Sequence, residues 1–158
     1  MPGAAEIRGR RPSFGTRGVA VVEFAILLPI LVTFLVGIVE FGHVWYVQHA
    51  LTNASREGAR VGVVFGLTST GAPRWGYQLE AGKKVENTVK NYLGDTFVSR
   101  YGIQVEQALP GGAATGQDLT VTVRATRNIT LLLDALIQWF NPAFEGITLA
   151  AETTMRLE

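Results

Sequence analysis

The chain has 158 residues, no cysteine and a formal net charge of +1. That length accommodates one small domain. The missing thiols exclude disulfides, thiolate metal sites and a cysteine nucleophile, and near-neutral charge gives no electrostatic footprint for nucleic acid. Charged residues make up only 17%, against roughly one quarter in a soluble domain, and the apolar surplus is concentrated near the N-terminus.

Residues 1–18 form a basic leader, with Arg8, Arg10, Arg11 and Arg17 set against one acid, Glu6. From Val19 to Val39 there follow 21 residues with a single charge, Glu23. At about 1.5 Å per residue such a run matches a hydrocarbon core of roughly 30 Å, so 19–39 is expected to be a transmembrane helix. The arginines place residues 1–18 in the cytoplasm and residues 40–158 on the far side by the positive-inside rule. A cleaved secretory signal would have an apolar core of about 7–15 residues and a small-residue cleavage site. This run is longer and offers no such site. A buried helix of a soluble protein would leave the arginines without a reason.

Glu23 is the anomaly. A carboxylate at the centre of a membrane helix costs about 2.5–3.5 kcal/mol, and a position one turn from the end reduces that cost by snorkelling. Arg17-Gly18, four apolar residues, then Glu23-Phe24 and a long apolar run resemble the leader junction of type IV prepilins. More of the chain resembles the TadE-like family, pilin-like membrane proteins of the tight-adherence (Flp) pilus machinery. That resemblance rests on Glu23-Phe24-Ala25, Pro29, Glu40-Phe41 and Arg56-Glu57-Gly58-Ala59-Arg60, all within residues 17–64. It implies cleavage between Gly18 and Val19 by a prepilin peptidase, leaving Glu23 as the fifth residue of the mature chain. The freed ammonium of Val19 and the Glu23 carboxylate, on the same or a neighbouring subunit, would then attract strongly in low dielectric.

Helical periodicity continues past the membrane, so a helix extension over 40–65 is expected. One stripe with steps of three and four runs through Glu23, Ile26, Ile30, Thr33, Gly37, Glu40, Val44, Val47, Leu51, Ala54, Gly58, Val61 and Phe65. Small and polar residues on one stripe favour close helix approach in lipid, which predicts that the stripe faces another helix. The competing reading is the ordinary apolar seam of a long helix, with Pro29 a potential kink. Trp45 and Tyr46 stand where an interfacial aromatic belt is expected. The spacing of Arg56 to Arg60 allows a Glu57–Arg60 pair. It fits either a docking feature against the sheet or a solvated turn.

Residues 66–76 read as loop and Gln78 to Leu93 as a second helix with Ala81, Val85, Val89 and Tyr92-Leu93 on one face. Three strands are expected from alternation: Tyr101, Ile103 and Val105; then Leu119, Val121, Val123 and Ala125; then Ile147 through Leu157. The first two are joined by the glycine-rich LPGGAATGQ. Between the last two, Ile129 to Phe140 has helical spacing and reads as a short amphipathic helix. It either covers the sheet or dips into a membrane or partner. The expected fold is α+β: one N-terminal transmembrane helix extended into a pilin-like domain with a second helix and a small antiparallel sheet.

Catalysis is not expected. Glu40-x-x-His43 has a metal-ligand spacing, but His43 and His49 are the only histidines and a di-iron bundle needs a second such pair. No HExxH, GxSxG or phosphate-binding loop is present, and neither metal nor cofactor is implied. Asn53-Ala54-Ser55 and Asn128-Ile129-Thr130 are glycosylation sequons of a kind that arises by chance. The resemblance implies a structural subunit of a pilus apparatus in the cytoplasmic membrane, with the membrane, other pilin-like or assembly subunits and a prepilin peptidase as partners, and no nucleic acid. The alternative is a signal-anchored extracytoplasmic binding module, with Glu23 dispensable and a domain from about residue 66 folding alone.

Overall fold

The structure, a computed structural model, describes residues 15–67, 73–75, 83–109, 116–130, 132, 137–138, 141–143 and 146–157. The chain divides into two units at Gly37/Ile38. Helix α1, Gly15–Val63, contributes to both. In the first unit most apolar side chains of α1 are exposed, among them Val19, Phe24, Ile26, Ile30 and Phe34.

The second unit holds everything else. Strands β1, Phe65–Leu67, and β2, Pro73–Trp75, form a small antiparallel pair. Helices α2, Lys83–Leu93, and α3, Asp95–Tyr101, follow. Strands β3, Ile103–Ala108, β4, Asp118–Ala125, and β5, Ala150–Arg156, make an antiparallel sheet in the order β3-β4-β5. Val105 faces Val123 across the first pair and Val123 faces Ala151 across the second.

Alternation in β4 does what a half-covered strand requires. Leu119, Val121, Val123 and Ala125 are buried and the residues between them are not. The covering layer comes from α1, which buries Val47, Leu51, Ala54 and Ala59, and from α2, which buries Val85 and Val89. Ile129 and Trp75 close the same core. The core therefore draws on residues N-terminal to position 66.

Four expectations change. Tyr101 does not begin the first strand: it ends α3, and the strand starts at Ile103. Gly102 makes the switch, with φ +61 and its N–H donating to Val98 O at 2.9 Å, the left-handed ending that glycine adopts without steric cost. Helix α1 stops at Val63 rather than reaching residue 65, Phe65 opens β1, and the segment expected as loop, 66–76, holds the rest of β1 and all of β2. The last strand is shorter than the Ile147–Leu157 alternation, starting at Ala150. Of the amphipathic stretch 129–140, Ile137 and Gln138 are helical and most of the rest lies outside the described residues, as do 76–82 and most of the glycine-rich connection.

Candidate functional site

Helix α1 carries the Gly18–Val19 junction, Glu23, the stripe as far as Val61 and the Arg56–Arg60 segment. In its first unit Gly18, Val19, Glu23, Phe24, Ile26, Ile30 and Thr33 are exposed and Gly37 is intermediate. Gly18, Val19, Val22, Glu23 and Ile26 line one surface concavity, so the carboxylate stands in an apolar setting on the helix face. Pro29 lacks the N–H that would close the bond to the carbonyl four residues back. One turn on, Thr33 Oγ1 donates to Pro29 O at 2.8 Å, which satisfies that hydroxyl within the helix.

In the second unit the stripe is taken up by the domain. Glu40, Val47, Leu51, Ala54 and Gly58 are all buried, and Val44 packs partly against the core. Glu40, one residue past the apolar run and 3% exposed, accepts a hydrogen bond from Leu132 N. Ser55, fully buried, donates its hydroxyl to Thr52 O at 2.9 Å and lies 2.7 Å from Thr153 Oγ1 of β5, which completes the pair as donor. Gln48 Nε2 donates to Ala150 O at 3.3 Å. These contacts seat α1 on the edge strand β5.

The Arg56–Arg60 segment has two faces. Gly58 and Ala59 point inward, and a β-carbon on Gly58 would lie 2.7 Å from Val89 Cγ2. The glycine is what lets α1 and α2 approach. Arg56 and Arg60 are exposed and Glu57 is intermediate. Arg60 Nε and Nη2 donate to Glu57 Oε2 and Oε1 at 2.9 and 2.6 Å, and this fork holds the Glu57 carboxyl below its ordinary 4.5.

An aromatic group surrounds the first turns of α1 beyond the apolar run. The Tyr101 hydroxyl lies 3.0 Å from His43 Nε2, Phe97 packs edge-on to Tyr101 at 4.6 Å, and Trp45 packs edge-on to His49 at 5.1 Å. Burial pushes the Tyr101 hydroxyl above its ordinary 10.0, partly offset by the nearby Arg100 charge. The role of α3 in this group was not visible in the sequence. Phe97 and Tyr101 at four-residue spacing were its signal. Among the described residues no cluster of three His, Cys, Asp or Glu side chains forms.

Helix α1 is N-terminal, long and apolar enough to cross a membrane, with none of its most apolar window buried, and it continues into a small α+β domain. A family model described as TadE-like protein matches residues 18–60, the stretch that carries the resemblance. The match ends at Arg60, where the helix has packed against α2, and leaves residues 61–158 outside it. No curated protein and no solved structure matches the chain.

Proposed function

We propose that this chain is an assembly protein of a tight-adherence (Flp, type IV-like) pilus, a minor pilin or pseudopilin-like subunit held in the cytoplasmic membrane by one helix. The match of residues 18–60 supports association with that pilus machinery, and the unburied apolar window supports anchoring. In this reading residues 1–18 are cytoplasmic and removed by a prepilin peptidase, and the domain is extracytoplasmic. It has no catalytic role. One observation carries the reading: a helix face with no apolar partner among the described residues, bearing a carboxylate, Glu23, one turn into the apolar run. The membrane part of the stripe, Glu23, Ile26, Ile30, Thr33 and Gly37, is then the surface for neighbouring pilin-like helices. The part from Glu40 to Gly58 serves the chain's own core.

The test is the N-terminus of the protein extracted from its native membrane, read by intact mass and N-terminal peptide sequencing. A chain beginning at Val19 is the expected result, with Glu23 the partner of the new ammonium. A chain retaining residues 1–18 removes the processing step and leaves a plain signal anchor. As a second measurement, Glu23→Ala is expected to impair pilus assembly while the protein still inserts. Normal piliation in that variant overturns the role given to Glu23.

A further inference from the structure

Several features of the second unit converge at one level of α1. The apolar run ends at Val39, which is 56% exposed. One residue further, Glu40 holds the backbone of Leu132, whose apolar side chain is 57% exposed. Four residues past Val39, a rise of about 6 Å, His43 meets the Tyr101 hydroxyl. The Arg100 guanidinium lies 5.6 Å from the centre of the Tyr101 ring. Arg127 is tied to the same corner, its N–H donating to Tyr101 O at 3.0 Å and its Nη1 to Ser99 O at 2.5 Å. Both arginines are exposed, and among the described residues neither is paired with an acid.

That order is the polarity profile of a bilayer surface. With the apolar run in the hydrocarbon, the exposed Leu132 would stand at its edge. A buried tyrosine and a histidine lie within the next turn, at the depth where the headgroup layer, several ångströms thick, begins. Two guanidiniums beside them present planar forks that match phosphate oxygens. Glu40 fixes the backbone of Leu132 at this level, and the exposed side chain beside it suits an apolar surface. A bilayer surface, hydrocarbon with phosphates above it, accounts for both the leucine and the arginines.

We propose that Leu132, Arg100 and Arg127, fixed by Glu40 and Tyr101, form a foot that rests on the membrane around the anchor and binds the phosphates of anionic lipids. This rests on the membrane-anchor reading above. The foot fixes how the domain stands on the bilayer, and lipid charge strengthens that footing.

The chain has no cysteine, so single-cysteine variants of the full chain can carry an environment-sensitive fluorophore without background. L132C, F34C within the apolar run and T154C on the exposed strand β5 are placed in nanodiscs of phosphatidylcholine, with and without about one third phosphatidylglycerol. Quenching is then read from lipids spin-labelled near the headgroup. The expected result is quenching at positions 34 and 132 but not 154, with position 132 more quenched when phosphatidylglycerol is present. That increment is expected to vanish with R100Q and R127Q added. Quenching at 34 with position 132 as unquenched as 154 overturns the foot and leaves the anchor standing. Quenching at 132 that ignores lipid charge overturns the binding of anionic lipids by the arginines. No quenching at 34 overturns the anchor reading, and the foot with it.

Discussion

Gly58 of α1 and Val89 of α2 approach so closely that a single added carbon on the glycine would lie 2.7 Å from Val89 Cγ2. Val89 is fully buried and β-branched, so its methyl cannot swing away. Gly58→Ala gains about 1 kcal/mol of helix propensity and meets an overpacking cost of about 1–3 kcal/mol. A net loss of stability is expected in chemical unfolding, and Gly58→Ala with Val89→Ala is expected to lose less than the sum of the two. Additive losses would show that the two sites do not share a contact.

Glu40 and Leu132 give a second test. Removing the acceptor leaves a part-buried N–H unpaired, a cost of about 1–3 kcal/mol. Glu40→Ala is expected to speed amide hydrogen exchange at Leu132, while Glu40→Gln keeps a carbonyl oxygen in reach and preserves most of the protection. Equal exchange in both variants and the wild type would mean that the bond is not formed in solution.

A fragment beginning at residue 66 is expected not to fold, whereas one beginning at Ile38 is expected to fold in mild detergent. The shorter fragment lacks Val47, Leu51, Ala54 and Ala59, all fully buried. Full burial of a valine or leucine side chain is worth about 1.5–3 kcal/mol, so losing Val47 and Leu51 alone removes a large part of the net stability of a small domain, about 5–15 kcal/mol. Circular dichroism and a cooperative thermal transition decide between the two outcomes.

Stability is expected to fall as pH rises above 10.0, because burial holds the Tyr101 proton more tightly in the folded state than in the unfolded chain. The unfolded state ionises first, so the loss starts at the ordinary tyrosine value and continues through the raised one. Tyr101→Phe is expected to flatten this part of the profile. Glu57 works at the other end. Its lowered value makes its contribution complete above 4.5 and lost as pH falls through the folded value, and Glu57→Gln is expected to flatten that limb. The unfolding free energy of each variant against wild type across pH reads both slopes.

How much of this was legible in the sequence depends on the length of each pattern. Four alternating positions from Leu119 to Ala125 specify a strand face, and β4 follows them. The long run of threes and fours through Val47, Leu51, Ala54 and Gly58 marks a helix seam. The seam does not say what lies against it, because a core valine and a neighbouring subunit's valine leave the same trace. The seven residues of α3 are too few for a period, and Thr96 and Val98 suit strand as well as helix, so pattern alone assigns Tyr101 to the next strand. The Glu57–Arg60 pair is a matter of spacing and was visible. The Glu40–Leu132 bond joins residues far apart in sequence, and nothing local announces it.

The seat of α1 on β5 has a consequence for timing. The Ser55–Thr153 contact spans 98 positions, and Gln48 reaches 102 positions to Ala150. Closing loops of that size is slow. Synthesis is slower still, at about 5–20 residues per second, so the distal half of α1 exists for several seconds before its partners are made. Val47 and Leu51 pass that interval with no sheet to cover them. The domain is therefore completed late, once β5 has arrived, and any factor that holds the nascent chain must shield this helix face longest.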